Sequence, residues 1–193
     1  MKLVIASNNK GKIREYKELL EPLGYKVVSQ SEAGVDIEVE ETGTTFAENS
    51  ALKARAIYER LGCAVLADDS GLEVEALSGE PGVFSARYGG LSSQEERTAL
   101  VLEKLEGVPE EKRGARFVCT IHFISPEIGE ITVEGEVRGR IGEEPVGENG
   151  FGYDPIFMYG ERSFAQISAE EKNAVSHRAE ALRKLIEALK EKT

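Results

Sequence analysis

Lys2-Leu3-Val4-Ile5-Ala6-Ser7-Asn8-Asn9-Lys10-Gly11-Lys12-Ile13 is the stretch that decides the fold class. Lys2 to Ala6 is a short apolar run, which predicts a buried strand. Ser7 to Lys12 follows as a polar loop. Ile13, Tyr16, Leu19, Leu20 and Leu23 then recur at helical spacing up to Gly24, a helix stop. Tyr25 to Ser29 reads as a second strand. Strand, loop, helix, strand is the opening of an α/β fold. The same order makes the loop a natural phosphate site. Backbone N–H groups and the positive helix end face an anion there, and Lys10 or Lys12 adds charge. The Gly-x-x-x-x-Gly-Lys spacing of a Walker loop is missing.

Beyond this opening, Ser31 to Thr44 is acidic and irregular. Thr45-Phe46-Ala47-Glu48 is a capping box that starts a helix to about Leu61, ended by Gly62. Ala64 to Ala67 predicts a strand delivering Asp68 and Asp69 at its end, and Leu72 to Leu77 is expected to be extended. Ser92 to Leu105 predicts a helix capped by Ser92 or Ser93. Arg116 to Ser125 and Ile131 to Ile141 alternate around a Ser-Pro-Glu-Ile-Gly turn, which predicts a long antiparallel hairpin. A final helix is expected from about Ala169 to Lys190, with Val175, Ala179, Leu182, Ile186 and Leu189 as its core stripe. No linker separates two independent domains, so residues 1–193 read as one domain with two lobes around a cleft.

The 193 residues suffice for a sizeable core. A net charge of −11 argues against broad binding to nucleic-acid backbone or anionic lipid, although a small anion could still bind through local cations, N–H groups or a metal. Met1 to Ser7 lacks the long apolar core of a signal peptide, and no apolar run approaches a membrane span. A soluble cytoplasmic protein is expected. Cys63 and Cys119 are too few for a disulfide framework, and their apolar settings predict buried free thiols.

Several residue groups could carry chemistry. Asp68 and Asp69 suit Mg²⁺, which takes one or two carboxylates plus phosphate oxygens and water, and one of them could act as general base. Asp-Ser-Gly would equally make a turn. Glu38, Glu40 and Glu41 form an acidic patch that could supply a second metal carboxylate, or simply a solvated face. Asn49 and Lys53, four apart, share a helix face. Lys172, Ser176, His177 and Arg178 sit together late in the chain, and His177 and Arg178 are strong donors. Donors aimed at a ring oxygen favour a 6-keto purine over adenine. His122 lies mid-strand and reads as structural. Glu148 to Tyr159 crowds glycines and aromatics into a loop suited to a planar ligand such as a nucleobase, or to an aromatic-capped turn.

Taken in order, six motifs carry a resemblance. They are Ser7-Asn8-Asn9-x-Gly11-Lys12, Thr45-Phe46-x-Glu48-Asn49-x-x-x-Lys53-Ala54, Asp68-Asp69-Ser70-Gly71-Leu72, Pro81-Gly82-Val83-x-Ser85-Ala86-Arg87-Tyr88, Gly150-Phe151-Gly152-Tyr153-Asp154-Pro155-Ile156-Phe157 and Ser176-His177-Arg178. The chain resembles the inosine triphosphatase family, pyrophosphatases acting on dITP, ITP and XTP, from Met1 to about Leu189. The resemblance implies a two-lobed α/β fold with a long mixed sheet, flanking helices and a central active-site cleft, a homodimer, and Mg²⁺-dependent cleavage of the α–β phosphoanhydride to a nucleoside monophosphate and pyrophosphate.

Carried over, Asp69 matches the general base and a metal ligand. Glu40 matches the second metal carboxylate, with adjacent Glu41 as its rival. Ser7, Asn8, Asn9, Lys10, Gly11 and Lys12 match the triphosphate loop, where Ser7-Asn8 replaces the Thr-Gly of many relatives. Ser70 matches a substrate contact, and Asn49 and Lys53 match polar positions near the phosphates. Phe151, Gly152, Tyr153 and Asp154 match the base pocket, with Phe151 stacking on the purine. Lys172, His177 and Arg178 match the remaining contacts, the last two reading the base. Mg²⁺ and the lysines are expected to lower the pKa of Asp69. A Maf-like pyrophosphatase of different base preference and a nucleotide-binding module without turnover are the alternatives.

Overall fold

Strand β1 (Lys2–Ile5) pairs in parallel on one side with β2 (Lys26–Ser29) and on the other with β3 (Val65–Val74). The helix between the first two strands, α1 (Lys10–Leu20), continues as a 3-10 turn to Leu23 and stops at Gly24 in the left-handed region. The opening is therefore the expected β–α–β. The structure is a computed structural model and describes residues 2–192; Met1 and Thr193, the ends of the expected domain, lie outside the described residues. Five further elements complete the framework before the chain's final segment: α2 (Phe46–Leu61), α3 (Gln94–Lys104), β4 (Gly114–Ser125), β5 (Gly129–Ile141) and β6 (Phe157–Tyr159). Then come β7 (Arg162–Ser163), α4 (Ala169–Val175) and α5 (His177–Glu191). The seven strands form one mixed sheet in the order β2-β1-β3-β4-β5-β6-β7. No helix of the described residues is long and apolar enough to cross a membrane.

The chain divides into two compact units. The first comprises Met1–Asp69, Cys119–Gly135 and Arg178–Thr193. Strand alternation builds two cores in it. Leu3, Ile5, Leu66, Cys119, Ile121 and Phe123 pack with Tyr16 and Leu20 of α1 and Leu182 and Leu185 of α5. Val4, Ala6, Val65, Ala67 and Ile124 pack instead with Ala54 and Ile57 of α2. Helices thus cover both faces, as a parallel arrangement requires. The second unit comprises Ser70–Val118 and Glu136–His177. Its core joins Leu72 and Val74 of β3 to Val101 and Leu105 around Phe117, Phe157 and Phe164. Phe117 and Phe157 meet at 4.4 Å between ring centroids, in a tilted pair. Arg113 closes one end of this unit. Its guanidinium is buried and donates to the carbonyls of Leu105, Val108, Ile141 and Gly142.

Several expectations need correction. Strand β3 does not end before Asp68 but runs through both aspartates to Val74, and Glu75–Leu77 is a 3-10 turn rather than extended chain. The charges are tolerated inside a strand because cations surround them, as described below. The single last helix is two: Ser176 adopts an extended conformation (φ −68°, ψ 159°) between α4 and α5. No glycine or proline marks the break. Tertiary packing makes it, since Val175 joins the core of the second unit and Ala181 and Leu182 join that of the first. Finally, Cys63 is only half-buried, whereas Cys119 is buried; both are free thiols. Leu23 also leaves the α1 stripe and is exposed.

Helix α2 begins with the expected capping box: Thr45 Oγ1 accepts from Glu48 N–H, and the Glu48 carboxylate accepts from Thr45 N–H. Thr45→Ala should lower unfolding stability by about 1 kcal/mol, with Thr45→Ser close to wild type, as read from urea denaturation.

Candidate active site

Asp68 and Asp69 lie on β3 just past the last residues paired with β1, Val4 with Val65 and Ile5 with Leu66. Both are buried, at 1 % and 5 % exposure. As neighbours on a strand they point to opposite faces and gather different partners. Asp69 meets helix α2. Asn49 Nδ2 donates to Asp69 Oδ2 at 3.1 Å, and Lys53 Nζ lies 3.7 Å from Oδ1. The i, i+4 spacing of Asn49 and Lys53 therefore does bring both to one carboxylate. Asn49 Oδ1 also accepts from Gly43 N–H at 2.8 Å, which ties the acidic loop to this point. Gly43 is required there: a Cβ would stand 2.6 Å from both Glu48 Cβ and Asn49 Oδ1. Lys53 donates to Glu41 Oε1 at 2.6 Å, so it stands between two carboxylates. Glu40, one residue earlier, is exposed, so the structure brings Glu41 rather than Glu40 to Lys53.

Burial pushes the Asp69 carboxyl above its ordinary range, and it outweighs Lys53 and Lys12, which pull it down. The Lys53 ammonium is held above its usual range: burial opposes this, and Asp69, Asp68 and Glu41 together exceed the burial effect. The lysines do pull Asp69 down, as expected of them, but without a metal they do not offset its burial.

Asp68 faces the other way. Lys12 Nζ lies 3.1 Å from its Oδ2, Arg178 Nη2 lies 3.3 Å from the same oxygen, and the Cys119 thiol approaches at 3.7 Å. Arg178 is 1 % exposed, pairs also with Glu15 of α1, and stands over the Tyr16 ring. Breaking a buried pair of this kind typically costs about 3–5 kcal/mol. The loop before α1 is internally ordered. Ser7 Oγ accepts from Asn9 N–H, and Asn9 caps the helix by accepting from Lys12 N–H at 3.1 Å. Asn8, Asn9 and Lys10 are exposed, and Ser7, Gly11 and Lys12 are half-buried.

A second cluster lies wholly in the second unit. Gly150 and Gly152 both take positive φ, 71° and 62°, and flank Phe151. Asp154 Oδ2 accepts from Phe151 N–H at 3.0 Å and from Lys172 Nζ at 2.6 Å. Gly150 makes room for it, because a Cβ there would collide with the Asp154 carboxylate. The Lys172 ammonium sits 4.8 Å from the Phe151 ring centroid, within cation–π range. Tyr153 donates its hydroxyl to Ser85 carbonyl at 2.6 Å, and burial pushes that phenol up, so it remains a donor. His177 stacks on Phe117 at 4.8 Å. The Ser-His-Arg motif is therefore divided. His177 belongs to this aromatic cluster, Arg178 to the Asp68 network, and Ser176 is the buried joint. Ser70 is half-buried on β3.

Sequence reasoning missed Glu15 and Gln94, and gave no role to Ser85, which stands in the fourth motif. Glu15 had one usable signal, its place beside the inward-facing Tyr16 one turn after Lys12. Among the described residues no three His, Cys, Asp or Glu side chains converge on a metal position. Asp69 with one glutamate nevertheless fits a hard cation that takes its remaining ligands from phosphate and water.

Comparison with known proteins gives a consistent result. A model of the Ham1 family matches residues 3–188. A dITP/XTP pyrophosphatase from Bacillus licheniformis is 50 % identical over 190 residues, 95 % of each chain. One from Thermus thermophilus is 47 % identical over 193 residues, 99 % of this chain and 93 % of that one. Among solved structures, the Staphylococcus aureus Ham1 protein superposes with a TM-score of 0.87 at 44 % identity, covering 100 % of both chains. A nucleoside-triphosphatase / dITP/XTP pyrophosphatase from Mycobacterium abscessus gives 0.75 at 45 % identity, covering 96 % of this chain and 98 % of that one.

The raised pKa of Asp69 has a thermodynamic sign. Folding favours its protonated form relative to the unfolded chain, so ionisation of Asp69 costs stability above the folded pKa, and the cost vanishes below the unfolded value near 3.8. Metal-free Asp69→Asn should therefore melt higher than wild type at pH 7, with the gap closing towards pH 4. A lower melting temperature at pH 7 would show that Asp69 is held chiefly by its cations.

Proposed function

The chain belongs to the Ham1 family, and on that premise we propose that it hydrolyses deaminated purine nucleoside triphosphates, ITP, dITP and XTP, to the monophosphate and pyrophosphate. The observation that carries this reading is Asp69: a buried carboxylate that accepts from Asn49 and stands beside Lys53, a group of the kind that takes a proton from an attacking water. In the proposed reaction a water attacks the α-phosphorus and passes a proton to Asp69. The bond from the α-phosphorus to the bridging oxygen breaks, and pyrophosphate leaves with the electron pair. Lys12 and Lys53 would offset the charge that moves onto the leaving group.

A bound Mg²⁺, held by Asp69 and Glu40, would supply Lewis-acid charge neutralisation at the phosphates. Glu41, already engaged by Lys53, is better suited to holding that lysine. Ser7, Asn8, Asn9, Lys10, Gly11 and Ser70 complete the phosphate contacts in this reading. Since Asn9 and Ser7 occupy the N–H groups of Lys12 and Asn9, the loop would contribute its lysines and side-chain amides more than those two backbone donors. Phe151, Gly152, Tyr153, Asp154, Lys172 and His177 are assigned to the base, with Phe151 as the stacking face. Arg178 is assigned to base reading from the family pattern, and its pairing with Asp68 and Glu15 supports an added role in fixing Asp68. The protein would work as a cytoplasmic homodimer.

Pyrophosphate release from ITP, XTP, dITP, GTP, ATP and dTTP, with and without Mg²⁺, tests the reading. Activity confined to the first three, and dependent on the metal, is expected; no release from any of them refutes it. Asp69→Asn should abolish turnover while leaving substrate binding largely intact. Phe151→Ala should raise KM for every purine substrate, since stacking on a base is worth about 1–3 kcal/mol. An unchanged KM for all of them would remove this loop from the base contacts.

A further inference from the structure

The loop that carries Phe151 is tied in part to its own neighbourhood in the chain. Asn149 N–H donates to Ala165 carbonyl, Asn149 Nδ2 donates to Ile167 carbonyl, and Asp154 accepts from Phe151 N–H and Lys172. Two ties reach far across the sequence. The Tyr153 hydroxyl donates to the Ser85 carbonyl at 2.6 Å, across 68 positions, and anchors a side chain; the other holds a peptide. Gly152 N–H donates to Gln94 Oε1 at 2.8 Å, across 58 positions of sequence. Gly152 is the residue after the ring, sits at φ 62°, and a Cβ placed there would meet nothing within 4 Å. Local crowding does not fix this peptide, and glycine is the residue with most freedom to leave its conformation. Gln94, by contrast, has a fixed backbone. It is the first residue of α3, immediately after Ser93, whose capping box with Glu96 sets the helix start.

We propose that Gln94 is a positioning residue for purine recognition: its side-chain carbonyl, held by the capped start of α3, fixes the Gly152 peptide and through it the plane of Phe151. The inference rests on the assignment of Phe151 to the base. Gln94 itself touches no reacting atom. Its contribution is pre-organisation, so losing it makes the loop pay its ordering entropy when the base binds. The effect belongs to binding and leaves the phosphate chemistry alone.

Gln94→Met and Gln94→Glu separate this from a merely structural role. Both variants keep an unbranched, helix-compatible side chain, and only the glutamate keeps an acceptor oxygen. Amide hydrogen exchange of Gly152 in the free protein should accelerate severalfold in Gln94→Met and stay near wild type in Gln94→Glu. Steady-state pyrophosphate release from ITP should show KM raised roughly threefold to tenfold in Gln94→Met, with kcat within about twofold, as expected for one net hydrogen bond. Gln94→Glu should restore the wild-type KM, and the melting temperatures of all three proteins should agree within about 2 °C. The inference is overturned if Gly152 exchange is unchanged in Gln94→Met, if KM stays at the wild-type value while exchange accelerates, or if Gln94→Glu fails as Gln94→Met does. Wild-type inactivity towards ITP would instead count against the proposed function, and the exchange result would still decide whether Gln94 holds the loop.

Discussion

Two adjacent carboxylates inside one strand govern much of this structure. A strand sends neighbouring side chains to opposite faces, so Asp68 and Asp69 each need separate compensation. On one face Lys12, Arg178 and Glu15 build a charge network from α1 and α5. On the other, α2 supplies Asn49 and Lys53, and Lys53 recruits Glu41 from the acidic loop. Each of these elements is placed where a cation or amide can reach β3. The compensation is uneven: Asp69 remains costly to ionise in the metal-free protein, whereas Asp68 is enclosed by two cations. The two aspartates are thus chemically distinct despite being neighbours in the chain.

The periodic parts of this arrangement were legible in the sequence. The β–α–β opening, the capped helix from Thr45 and the long hairpin all follow from local spacing and cap chemistry, and each is found with boundaries within a few residues. The pairing of Asn49 with Lys53 was equally readable, because helical spacing places them together whatever they touch. What they touch was not readable. That Lys53 would engage Glu41 depends on a loop without regular structure, and that it would engage Asp69 depends on how α2 packs on β3; no spacing rule reaches either.

The break at Ser176 and the continuation of β3 failed for a shared reason. Local signals point the other way at both places, and partners distant in sequence settle them. Nothing in Asn173-Ala174-Val175-Ser176-His177 forbids a helix, yet the residues on either side belong to different cores. Asp-Asp-Ser-Gly looks like a turn, yet Lys12 and Arg178 make a buried charged strand tolerable. Gln94 escaped notice for the same cause: as a helix-start residue it is unremarkable until the Gly152 peptide is set against it.

The division of the chain has one further consequence. The first unit is made of three separate stretches and the second of two, so the polypeptide passes from one to the other at residues 69–70, 118–119, 135–136 and 177–178. Three of those passages occur inside strands β3, β4 and β5, where the backbone is in the ladder. No truncation can release either unit as a contiguous fragment, and a duplication or loss of one half by simple gene rearrangement would leave severed strands. Three of the four crossings therefore cannot be cut without cutting a strand.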